Sequence, residues 1–150
     1  MPELLETIVD KFIFRVAKDR LYSKDGIWVL AEEGDRVRVG LADFAQRRNG
    51  DVAFAEIKPA GTALEVGDEL AVVETIKVVF SVSSPVAGTI IEVNPAMATA
   101  PEAINSDPYG EGWLAVVAAS IFEETRASLL DPQAYFALMK SEAEEEARKP

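Results

Sequence analysis

Glu74-Thr75-Ile76-Lys77-Val78, followed by Ser84-Pro85-Val86-Ala87-Gly88, is the stretch whose reading decides the fold. The first pentapeptide stands between two runs with strand character, Glu69 to Val73 and Val78 to Val82. Beyond the second comes another apolar run, Thr89 to Val93. Strand, short connection with one lysine, strand and Pro/Gly-punctuated turn together hold an ammonium out from a rigid sheet. A lysine presented this way can be found and acylated by a modifying enzyme. The chain therefore reads as a carrier of a covalently attached cofactor, not as a catalyst. Gly88 is expected to need a positive φ, so that a β-branched residue there would destabilise its turn.

Outward from this hairpin, β-signals dominate from Leu21 to Val93. Ile27 to Leu30 and Arg36 to Val39 flank Glu32-Glu33-Gly34-Asp35, a hairpin turn. Leu41 to Arg48 reads as a short helix with Gly50 as its C-cap, and Val52 to Ile57 as a strand. Lys58-Pro59-Ala60-Gly61 and Val66-Gly67-Asp68 mark turns. Pro95 to Gly112 reads as an irregular loop and Trp113 to Ala118 as a final buried strand, with Trp28 and Trp113 as packing residues. Ser120 to Leu130 predicts a helix, and Asp131-Pro132 restarts one as N-cap and first-turn proline. Glu142 to Glu146 reads as a solvated, fraying face or as a docking patch.

At the other end, Leu4, Leu5, Ile8, Val9, Phe12, Ile13 and Val16 recur at helical spacing and predict an amphipathic helix over residues 3–17. The tail of that stretch, Phe12 to Val16, alternates and is equally compatible with a strand. The expected organisation is an N-terminal extension over 1–20 (helical or edge element), a carrier domain over 21–119, and C-terminal helices with an acidic tail over 120–150. The fold class is mainly β with helical additions: a small sandwich or flattened barrel.

Composition removes several classes of function. Fifteen basic against 26 acidic residues give a net charge of −11, and no basic cluster appears, which argues against nucleic acid as a partner. Basic protein faces suit this charge better. Cysteine and histidine are both absent. Disulfides, thiolate metal sites, Ser/His and Cys/His pairs and the usual neutral-pH general base go with them. No apolar stretch approaches the ~18–20 residues of a membrane span. Met-Pro-Glu-Leu-Leu-Glu lacks a basic n-region, so the cytoplasm is the expected compartment and no membrane is expected as partner.

The motifs resemble those of the glycine cleavage H-protein family. The resemblance rests on Glu74 to Lys77, Ser84 to Gly88 and Glu92-Val93-Asn94, with Val39 to Gln46 and Gly50 to Phe54 before them. Its most specific part is Asn105-Ser106-Asp107-Pro108-Tyr109-Gly110-Glu111-Gly112-Trp113. It spans roughly Leu21 to Tyr135. It implies a lipoyl/biotinyl-type flattened barrel-sandwich of two small antiparallel sheets, with the modified lysine at a hairpin tip. Lys77 would carry lipoate as an amide, and Glu74 would be read by the lipoate ligase or lipoyl transferase. Biotin carriers usually set methionines beside the lysine, whereas Ile76 and Val78 stand here, so lipoate is favoured. Sulfur chemistry would belong to the cofactor and presentation to the protein.

Three positions depart from the family pattern. Gly26-Ile27-Trp28 stands where the family usually has His-Glu-Trp, Phe44 where it often has His or Tyr, and Ser81 where an acidic residue is common. Ile27, Phe44 and Ser81 are the candidate residues of a cleft for the arm. An ammonium placed beside Ile27 and Phe44 would lose charge-assisted hydrogen bonds of about 1.5–3 kcal/mol each. The reading drawn from this is a specialised carrier resembling the lipoate-binding proteins of heterodisulfide-reductase-like sulfur oxidation, with that complex as partner. The alternatives are an authentic glycine cleavage carrier of the aminomethyl group, partnered by the glycine cleavage enzymes, and a non-lipoylated interaction module.

Overall fold

The computed structural model describes residues 2–119 and 121–148. The chain opens with a hairpin of β1 (Leu4–Val9) and β2 (Phe12–Ala17). Then come β3 (Leu21–Tyr22), β4 (Ile27–Ala31), β5 (Arg36–Leu41), α1 (Asp43–Asn49), β6 (Val52–Ile57), β7 (Ala63–Leu64), β8 (Glu69–Thr75), β9 (Val79–Ser83) and β10 (Gly88–Val93). Two single-turn helices, α2 (Ala96–Thr99) and α3 (Ala103–Ser106), lie in the segment expected to be irregular. The chain continues through β11 (Ala115–Ala118), α4 (Phe122–Arg126) and α5 (Pro132–Arg148).

Two antiparallel sheets face each other, as the fold class required. One has six strands in the order β3-β4-β5-β11-β10-β7, the other three in the order β6-β8-β9. Between them lie Val29, Val37, Val39, Leu70, Val73 and Ile90, all essentially inaccessible. Each contributes on the order of 1.5–3 kcal/mol by leaving water. Strand β4 serves two cores because its side chains alternate: Ile27 and Val29 enter the sandwich, and Trp28 points the other way. Trp28 meets Phe14, Tyr22, Tyr135 and Met139 there, so the N-terminal hairpin and α5 close a second core over the back of the larger sheet. Gly40, opposite Trp28 in the register, is required because a Cβ there would enter the indole ring.

The helix expected over residues 3–17 is a β-hairpin instead. Asp10 and Lys11 both adopt positive φ (48° and 76°), as the two central residues of a tight I′ turn do. Apolar residues occupy both faces of the ribbon: Val9, Phe14 and Val16 inward, Ile8 opposite Ile13 outward. Filling both faces reproduces a helical recurrence without a helix.

Gly88 also departs from expectation. It begins β10 with no positive φ, and a Cβ there would run into the carbonyl of Ala118 on the paired strand. Close backbone approach, not turn geometry, demands the glycine. Gly50 caps α1 as expected, with φ 90°. The Asp131 carboxylate accepts the Ala134 N–H at 2.7 Å as the N-cap of α5. The acidic stretch 142–146 is neither frayed nor free. It is helical, with Ala143 buried and Arg48 bridging Glu142 at 3.5 Å and Glu146 at 3.0 Å.

Candidate functional site

Lys77 stands in the connection between β8 and β9, and its side chain is exposed. The buried Thr75 hydroxyl organises this tip. Its Oγ1 accepts the N–H groups of Lys77 (3.1 Å) and Val78 (3.0 Å) and donates to the Asn49 carbonyl at 2.7 Å. The Thr75 N–H reaches the Val78 carbonyl at 2.8 Å, and the Ile76 N–H reaches that of Asp51 at 3.0 Å. The backbone around the lysine is thereby tied to the end of α1 and to the residues that follow it. Lys77 Nζ donates to the Arg48 carbonyl at 3.3 Å, where the exposed carbonyls at a helix C-terminus suit a cation.

Nearby, Asn105 joins three segments. It accepts the Val52 N–H at 2.8 Å and donates to the Gly50 carbonyl at 3.1 Å and to Gln46 Oε1 at 2.9 Å. Downstream, the Pro108 carbonyl accepts the Trp28 indole N–H at 2.9 Å, and the Tyr109 hydroxyl donates to the Arg15 carbonyl at 2.7 Å. The run from Asn105 to Trp113 is therefore the clamp that sets α1 and its C-terminal turn beneath the lysine. Neither Thr75 nor Asn105 was singled out from sequence as a site residue. The position of each inside a motif was the available signal.

The candidate cleft residues separate. Ile27 and Ser81 line one cleft of about 370 Å³ together with Asp25, Ala45, Arg48 and Ser83. Phe44 does not join them. It lies on another face of α1, its ring 5.4 Å from that of Phe14 in a T-shaped pair and 5.1 Å from the Arg48 guanidinium. It lines a second cleft, of about 310 Å³, between the N-terminal hairpin, α1 and α5. Ser81 donates to Glu69 Oε1 at 2.7 Å, and Lys58 lies 3.3 Å from the same carboxylate. The Ser81 hydrogen bond, then Lys58, hold the Glu69 carboxyl below its ordinary range. Glu74 is exposed on β8, opposite Phe54 of β6 and Val79 of β9.

Among the described residues no group of three or more His, Cys, Asp or Glu is placed to hold a metal ion. No helix of the described residues is long and apolar enough to cross a membrane.

The family model described as "Glycine cleavage H-protein" matches residues 20–142. The chain belongs to that family. A glycine cleavage system H protein of Thermus thermophilus is 42% identical over 128 residues, covering 85% of this chain and 98% of the relative. The probable glycine cleavage system H protein of Pyrococcus furiosus is 39% identical over 128 residues, covering 85% and 95%. Among solved structures, a glycine cleavage system H protein from Mycobacterium marinum superposes with a TM-score of 0.73 at 33% identity, covering 81% of this chain and 97% of that one.

H-family proteins carry a covalently attached lipoate on a lysine and act as carriers, not catalysts. This chain is a lipoate carrier of that family. Its residues suit the group: an exposed amine on a hydrogen-bonded hairpin tip, next to an open cleft, with no cysteine in the chain to exchange with a dithiolane. The relatives are named for glycine cleavage, which displaces the sulfur-oxidation branch as the leading expectation.

Proposed function

We propose that Lys77 is the lipoylated residue and that the arm carries an aminomethyl group between glycine cleavage enzymes. The observation carrying this reading is the Lys77 amine, exposed on a tip pinned by Thr75 and set against the end of α1. A lipoate ligase or lipoyl transferase would deliver an activated lipoyl group. The lysine nitrogen, having shed a proton, forms the amide bond as the activating group departs. Glu74, exposed three residues before the lysine, is the acidic group we assign to recognition by that enzyme. The bound group supplies reversible disulfide chemistry. The chain's own residues supply a stiff tip, a free direction of approach and a cleft bearing Asp25, Ile27 and Ser81 beside it.

Intact mass after co-expression with a lipoylation system tests the site. One lipoyl adduct is expected in the parent chain and none in Lys77→Ala. An adduct persisting in that variant would refute the assignment. Reconstitution with glycine decarboxylase and aminomethyltransferase tests the cargo, and glycine-dependent turnover is expected.

A second reading is a sulfur-carrying paralogue serving a heterodisulfide-reductase-like complex. It rests on the apolar Ile27, 3% exposed, in the wall of a cleft that Arg48, the partner of Lys77 Nζ, also lines. Lipoylated protein that supports little glycine turnover would favour it. A chain that gains no lipoyl mass would favour the non-lipoylated interaction module.

A further inference from the structure

We propose that the idle lipoyl arm parks in the cleft between the N-terminal hairpin, α1 and α5, away from the cleft of Ile27 and Ser81. This inference rests on the assignment of the arm to Lys77.

Helix α1 is the wall between the two clefts. Arg48, near its C-terminal end, lines both, and the Arg48 carbonyl is where Lys77 Nζ rests. An arm that begins there can fall to either side. Acylation removes the ammonium and with it the attraction to the helix terminus, leaving a neutral aliphatic chain that ends in a sulfur ring.

Such a chain partitions by polarity. On the Ile27 side the polar Asp25, Asn49, Ser81 and Ser83 stand among Ile27, Leu41, Phe80 and Val82. On the hairpin side three phenylalanines, Phe12, Phe14 and Phe44, join Val9, Ala143 and Ala147, with charged residues at the rim. Apolar surface is buried favourably there, and sulfur sits well at aromatic edges. Phe12 is 53% exposed at this cleft, an apolar ring with surface left to cover. Of the charged groups at the rim, Arg48 is paired with Glu142 and Glu146 and Arg47 faces Asp43 at 3.9 Å, while Asp10 stands at the turn of the hairpin. Ion pairing lowers the cost of covering the arginines with an apolar chain.

The hairpin that makes one side of this cleft ends at Ala17, ahead of the matched span 20–142. One wall of the parking place is therefore built by a segment that the family match does not cover, and the other by α1 within it. A partner enzyme would have to draw the arm out from beside the hairpin before using it.

The test uses full-length lipoylated chain, its loading first confirmed by intact mass. Backbone and methyl NMR shifts of loaded and unloaded protein are compared. Changes are expected at Val9, Phe12, Phe14, Ala143 and Ala147; changes confined to the neighbours of Lys77 and to residues 80–83 would overturn the proposal. After reduction, alkylation of the arm's thiols by iodoacetamide should run about tenfold slower than that of free dihydrolipoamide, the factor corresponding to 1.4 kcal/mol. Ala147→Trp, at an exposed helix position, fills the cleft and should restore the free rate, while Ala147→Ser should keep the protection. Equal alkylation rates in parent, Trp and Ser proteins, all melting as folded chains, would also overturn it. A parent chain that gains no lipoyl mass would instead bring down the Lys77 assignment and this inference together.

Discussion

The Thr75 hydroxyl donates to the carbonyl of Asn49 at 2.7 Å, joining the lysine hairpin to the last residue of α1. The same oxygen accepts two N–H groups from the tip, so one buried side chain fixes both the shape of the connection and its seat. Lys77 is thus presented by a backbone with little freedom while its side chain remains exposed.

Replacing Thr75 by Val keeps the shape and removes these partners. The N–H groups of Lys77 and Val78 and the Asn49 carbonyl lose a hydrogen bond together, at a cost of about 1–3 kcal/mol. Chemical denaturation should show that loss. Lipoylation, followed by intact mass, should slow even where the variant is fully folded. A variant that is lipoylated at the parent rate would show that tip rigidity is irrelevant to the modifying enzyme.

Gly88→Ala introduces a Cβ against the Ala118 carbonyl, where β10 and β11 pair. Backbone must move to admit it, and overpacking of this kind costs about 1–3 kcal/mol. Gly34, with φ 69° and open space around it, supplies the comparison. Gly34→Ala should cost less, through backbone conformation alone. Thermal melts that rank the two in the reverse order would contradict the close-approach explanation.

The Glu69 carboxyl is held below its ordinary value first by Ser81 and then by Lys58. A carboxyl with a lowered folded pKa contributes stability above its unfolded value, near 4.5, and loses it as pH falls through the folded value. Ser81→Ala should move the Glu69 midpoint upward in a carboxyl-detected NMR titration. Lys58→Ala should move it upward as well. No change in Ser81→Ala would mean that the hydroxyl does not engage Glu69 in solution.

All three tyrosines of the chain are held protonated by their surroundings, chiefly through burial. Tyr109 is pushed up to about 12, and Tyr22 and Tyr135, stacked at 4.5 Å, are raised further. The stability this represents is complete below the ordinary tyrosine value of 10.0 and is lost as pH rises through the folded values. Tyrosinate absorbance should therefore appear together with loss of circular dichroism in one alkaline transition. A tyrosine that ionises while the chain remains folded would place that ring nearer solvent than the structure does.

Much of the carrier was legible in local pattern. The alternation on either side of Lys77, the Gly50 cap and the Asp131-Pro132 start of α5 are short-range signals, because strand pleat, left-handed φ and N-capping involve residues close in the chain. The lysine hairpin and the class of fold followed from them. Other features needed the folded molecule. Residues 3–17 carry apolar groups on both ribbon faces, and only packing against Trp28 and α5 selects a hairpin over a helix. Phe44 belongs to α1 and Ile27 to β4, and the cleft each one lines depends on what covers that side of the helix. Arg48 meets Glu142 and Glu146 across most of the chain's length, and Gly88 answers to a carbonyl on another strand. Periodicity along a sequence records which residues share a face. The partner that face meets is set by burial and by the cost of leaving polar backbone unpaired, and both are properties of the assembled structure.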